Sequence, residues 1–171
     1  MHASIRAILV LLLAINISPA FGKGVLQVMA TADKHKYRMS ETLSLEVRIS
    51  NKSRIAQTIY GRLAWGELAG LMLDIHDSEG KKIRSDRLDD NLPVPSTFEN
   101  ERYFVTLGRN HFLGIVRTDL VKDLFPKPGT YLLAVRYQSP VPRGTRPAIK
   151  DVISREQGLF QSNPIRITIE P

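Results

Sequence analysis

The sequence predicts an all-β fold, an antiparallel β-sandwich of about seven to nine strands with one short helical turn near 118–125. Three observations predict it. Apolar and polar residues alternate in short runs, as they do where one face of a strand is buried and the other solvated. Between the runs stand clusters of Gly, Pro, Asn, Asp and Ser, which favour turns. The chain has no cysteine, so packing and not disulfides must hold the sheets together.

VLQVMAT, 25–31, is the first strand. In TLSLEVRIS, Leu43, Leu45, Val47 and Ile49 alternate with Ser44, Glu46, Arg48 and Ser50, which gives one core face and one solvent face. Asn51, Lys52 and Ser53 form a turn by composition. IAQTIYGRLAW supplies a third strand across 55–63, interrupted at Gly61. LMLDIHDSEGKKIRS reads as a hairpin, with Leu71, Leu73 and Ile75 inward and Gly80 supplying a positive φ at the end of its turn.

RLDDNLPVPSTFENE, 87–101, is charged and carries two prolines, which excludes a central strand. RYFVTL, 102–107, a turn at Gly108, Arg109 and Asn110, and HFLGIVR, 111–117, are expected to form another hairpin. TDLVKDLF is the helical candidate, with Thr118 or Asp119 as cap and Leu120, Leu124 and Phe125 on one side. Pro126 and Pro128 end it. PGTYLLAVRY then places Tyr131, Leu133, Val135 and Tyr137 on one face, and NPIRITIEP turns Ile165, Ile167 and Ile169 inward.

Gly129-Thr130-Tyr131, at the mouth of that late strand, has the placing of the tyrosine that pins the crossover between the two sheets of an immunoglobulin-like sandwich. Tyr131 is therefore read as structural. Antibody-type domains carry a cysteine two residues beyond the tyrosine; Leu133 stands there, so the chain is closer to fibronectin-type and other bacterial immunoglobulin-like domains. The order SETLSLEVRISNKS at 40–53, LDIHDSEGKKI at 73–83 and PGTYLL at 128–133 also resembles the pattern of the proteinase-inhibitor family usually called BsuPI. That resemblance implies a sandwich fold and, by analogy only, peptidase inhibition; no inhibitory residue of the family maps onto this sequence.

Residues 1–22 have the layout of a secretory signal peptide: Arg6, an apolar run across 7–15, and small residues near Ala20 and Gly22 where cleavage is expected. The run is shorter than the roughly 20 residues of a membrane span; an uncleaved N-terminal anchor is the other reading. Residues 23–171 are expected to form a single exported domain in the periplasm or outside the cell, with no transmembrane span. The formal charge is +7, and about +6 survives loss of the signal. Such an excess favours an acidic protein or an acidic envelope polymer over nucleic acid, for which no motif appears.

No nucleophile elbow, phosphate-binding glycine loop or zinc-protease helix is present, and no enzymatic activity or cofactor is expected. Asp74 and His76 fall on one face of a strand beside Asp77, but no spaced ligand set accompanies them, so a solvated face is the simpler reading and no metal is expected. Asp86, Asp89 and Asp90 lack calcium-loop spacing. Trp65 is a core residue between sheets or an exposed anchor; Leu63 and Leu68 beside it favour the core.

The segment 139–162 is the candidate binding surface, since a connection of its length is ordinarily functional or disordered. Arg143, Arg146, Lys150 and Arg155 supply cations, Ile149 and Phe160 supply apolar contact area, and Pro140, Pro142 and Pro147 stiffen its first half. The other reading is a partly disordered insertion, or one containing another edge strand. The sequence thus predicts an exported, non-enzymatic binding domain. A peptidase inhibitor and a module for an anionic polymer are the alternatives, and the oligomeric state is open.

Overall fold

The computed structural model describes residues 25–66, 69–85, 98–142, 149 and 152–171. Twelve strands run in chain order: β1 (Leu26–Ala32), β2 (Lys36–Arg38), β3 (Thr42–Asn51), β4 (Gln57–Tyr60), β5 (Ala64–Trp65), β6 (Gly70–Asp77), β7 (Lys82–Ser85), β8 (Phe104–Leu107), β9 (Phe112–Leu120), β10 (Gly129–Gln138), β11 (Leu159–Gln161) and β12 (Ile165–Glu170). One helical turn, α1 (Val121–Leu124), separates β9 from β10.

The alternation at 42–50 makes β3 the spine of the first sheet. It pairs antiparallel with β1 on one side and β9 on the other. Leu43, Leu45, Val47 and Ile49 are fully buried. The second sheet has the order β2-β12-β10-β6-β5, with β11 beside β10 and β7 beside β6. Its β10 turns Tyr131, Leu133, Val135 and Tyr137 inward, and Leu71, Leu73 and Ile75 of β6 do the same. Both sheets contribute to one apolar cluster, so the chain is an immunoglobulin-like, all-β sandwich.

The hairpin expected from 102–117 does not form. β8 pairs with β4, and β9 pairs with β3, so 104–120 runs as one interrupted line antiparallel to 42–60. Asn51 sits at the interruption. Its backbone N–H donates to the His111 oxygen, and its oxygen accepts from the Asn110 N–H. Asn110 itself takes a left-handed φ of 62°, which asparagine tolerates better than most residues. The side-chain amide of Asn51 donates to the Ile55 and Leu107 oxygens at 2.7 and 2.8 Å, while Oδ1 accepts from the N–H and hydroxyl of Ser53. These bonds fix the junction between the β3–β9 pair and the β4–β8 ribbon, whose Ile59 and Leu107 remain in the main core.

The helical turn is shorter than predicted. Thr118, Asp119 and Leu120 belong to β9, which pairs with β3 as far as Thr42, and no side chain caps α1. Val121, Leu124 and Phe125 are its buried residues, whereas Leu120 is exposed. The turn at 77–80 is as read: Gly80 has φ 83°, and Asp77 Oδ1 accepts from the Glu79 and Lys81 N–H groups.

Candidate functional site

The far end of the β4–β8 ribbon has an aromatic cluster of its own. Tyr60 of β4 meets Phe98, Tyr103 and Phe104 edge-on, with centroids 5.3, 6.4 and 5.6 Å away. Such tilted contacts suit the charge distribution of the rings. Val141 is buried with them, and Ile149 and Val152 pack against them half-buried. The segment leaving β10 is thus fastened to the ribbon: Val152 bridges Thr58, the Ile153 N–H donates to the Thr58 oxygen, and the Arg155 N–H donates to the Val141 oxygen.

Two guanidinium groups stack on the ring of Tyr103. Arg62, just past β4, lies 4.8 Å from the ring centroid, and Arg102, in the 3-10 turn at Glu101–Tyr103, lies 4.7 Å from it. An Arg102 NH2 group donates to the Tyr103 hydroxyl at 2.6 Å. That bond, with the two positive charges, holds the phenol below its usual pKa. Both arginines are exposed, and each is free to offer its outer N–H groups to an anion while the ring holds its plane. Sequence inspection missed this pair because its members are forty residues apart.

Of the residues singled out in 139–162, Arg143, Arg146 and Lys150 lie outside the described residues. Ile149 rests on the aromatic cluster. Arg155 begins a 3-10 turn, Arg155–Gln157, and its Nε is buried. Phe160 lies in β11, in register with Tyr137 and stacked on it at 6.2 Å. The segment therefore ends in a three-residue edge strand that follows a 3-10 turn. β11 and β12 form one line along β10, broken at Ser162, whose hydroxyl accepts from the Val135 N–H and whose own N–H donates to the Val135 oxygen.

The Tyr131 hydroxyl donates to the Lys127 oxygen at 2.8 Å. Trp65, in β5, is half-buried against the core and carries the Arg117 guanidinium 4.6 Å from its ring centroid. Asp74 differs from its reading as part of a solvated face. It is only 4% exposed. Lys82 Nζ lies 2.7 Å from its Oδ1, the Arg136 Nη2 donates to Oδ1 at 3.0 Å, and the Arg136 Nε makes an ion-pair contact with Oδ2. Ala134 stands opposite it in the register. Among the described residues, no three His, Cys, Asp or Glu side chains converge on a point.

No protein-family model and no curated protein matches the chain. Solved structures with a related outline include the CARDB domain of the PF1109 protein from Pyrococcus furiosus, in complex with di-metal ions, at 8% identity and a TM-score of 0.39 over 85% of this chain and 87% of that one. The C-terminal domain of wzt gives 8% identity and a TM-score of 0.46 over 88% and 77%. The sporulation control protein Spo0M from Bacillus subtilis gives 12% and 0.45 over 86% of this chain, which spans 50% of that one.

Proposed function

We propose that this is an exported, non-enzymatic binding domain that holds an acidic partner at the end of the β4–β8 ribbon. The observation that carries the reading is the fixed guanidinium pair, Arg62 and Arg102 on Tyr103, beside the place where the basic segment is fastened. Val141 and Val152 are both anchored at that end, and in the sequence Arg143, Arg146 and Lys150 lie between them, outside the described residues. Glu67, Glu99, Glu101 and Asp151 are the nearby acids in sequence, against Arg62, Arg102, Arg143, Arg146 and Lys150, so cations outnumber carboxylates by one. Arginine suits the task because its planar fork meets a carboxylate or phosphate with two parallel bonds. Export rests on the layout of residues 1–22. Among the described residues, no helix is long and apolar enough to cross a membrane.

Cross-linked capture from an envelope fraction tests the proposal. The intact protein is compared with a variant carrying Gln at Arg62, Arg102, Arg143 and Arg146, after both are shown to unfold cooperatively. A partner held by the first and lost by the second supports the basic end. Equal capture by both, or none by either, refutes it. Stoichiometric loss of a peptidase activity in the captured fraction would identify the partner as a peptidase.

A further inference from the structure

A strand at the edge of a sheet leaves alternate N–H and C=O pairs unmatched. β9 is such a strand: it pairs with β3 along one side, and no described strand lies along the other. The two ends of the β3–β9 ladder tell which amides face out. The Asn51 N–H donates to the His111 oxygen, and the Val121 N–H donates to the Glu41 oxygen. Odd-numbered residues of β9 therefore face β3, and Phe112, Gly114, Val116, Thr118 and Leu120 present both backbone groups to the open edge.

The same five residues fall on the solvent face, four of them with a side chain there. Phe112 is 53%, Val116 63% and Leu120 42% exposed. Of the usual protections of an edge, β9 has no proline, no lysine and no break in its register with β3, and keeps only inward-pointing charges. Its only charged residues, Arg117 and Asp119, pair with each other at 2.5 Å on the inner side.

In order, the outward residues are large, small, apolar, small and large, a pattern symmetric about Val116. A two-fold axis there sets Phe112 against Leu120 of a second copy, Gly114 against Thr118, and Val116 against itself. Every outward amide then meets its complement, for about ten hydrogen bonds. We infer that β9 pairs antiparallel with β9 of a second copy, so that one sheet runs through a dimer. The symmetry singles out a second copy, because a foreign strand would demand none. The excess positive charge of each copy opposes association at long range, but none of the outward residues of β9 is charged, so the seam itself adds no repulsion. The paired strands are about 30 Å long. This dimer does not depend on the basic end.

Sedimentation equilibrium of the intact protein tests it, beside Val116→Lys, which sets two ammonium groups against each other at the axis without disturbing a buried residue. The expected result is a concentration-dependent dimer whose dissociation constant rises at least about tenfold in the variant, with the thermal midpoint unchanged at dilutions where both are monomers. A second test uses the absence of cysteine. Residues at such a pair have Cα atoms about 5.5 Å apart, within disulfide range. Val116→Cys should cross-link under mild oxidation at least about ten times faster than Ile55→Cys on another exposed site. A monomer at all concentrations, a dimer indifferent to Val116→Lys, or equal cross-linking of the two cysteine variants overturns the inference. If Val116→Lys does not fold, the cross-linking rates decide.

Discussion

The hydroxyl of Tyr131 lies 2.8 Å from the carbonyl oxygen of Lys127 and donates to it, closing a loop across Pro128 and Gly129 at the mouth of β10. The ring is buried against Phe125, with centroids 4.9 Å apart. One bond thus fixes where the chain crosses from α1 into the second sheet. Replacing Tyr131 with Phe keeps the ring and removes the bond, and should cost about 1 kcal/mol in denaturant unfolding. A variant as stable as the parent would show that the ring alone holds the corner.

Asn51 is a stronger case, since its side chain is fully buried and uses both donors and both acceptor positions. Asn51→Ala leaves the Ile55 and Leu107 carbonyls and the Ser53 amide short of partners. The expected loss is about 3 kcal/mol, several times that of an exposed substitution such as Lys52→Ala. Urea titration of the two variants checks the ratio.

Asp33 carries a pH signature. Burial pushes its pKa up, but hydrogen bonds from the Tyr37 hydroxyl and the Ser44 N–H, at 2.7 and 2.8 Å, outweigh that and hold it below the usual aspartate value. A folded pKa below the unfolded one means that the stabilisation is complete above about pH 4 and is lost as the pH falls through the folded value. Asp33→Asn should therefore be less stable than the parent at neutral pH, with the gap closing in acid. Melting curves from pH 7 down to about 2.5 test the sign; a gap that widens in acid would contradict it.

Asp74 is buried and pairs with the half-buried Arg136 and, among the described residues, with the exposed Lys82. Asp74→Ala strands a mostly buried guanidinium and should cost about 3 kcal/mol. Lys82→Ala removes only the exposed contact, and its cost should stay below about 1 kcal/mol. Similar losses for both would show that the burial of Arg136 plays no part.

Strands whose alternation was strong, such as 42–50, 131–137 and 165–169, were legible because one face of each is core. Pairing was not. The Gly108–Asn110 turn has the composition of a hairpin turn, yet Asn51 takes up the backbone groups on both sides of it, and the chain runs on along a partner sixty residues away. Leu120 looked like a helix residue because its neighbours are helix formers; pairing with Thr42 makes it strand. Asp74 looked solvated because period two assigns it to the outer face, and alternation cannot tell whether that face is covered. The Arg62–Tyr103–Arg102 stack was invisible for the same reason as the ribbon, since only the β4–β8 register brings its members together.

The most direct measurement of the binding account is a titration of the purified protein with polyglutamate at several salt concentrations, alongside a folded Arg62→Gln, Arg102→Gln variant. The account predicts binding that weakens steeply with salt and is at least about fivefold weaker in the variant, with a shallower salt slope. Binding indifferent to salt, or equally tight in the variant, would contradict it.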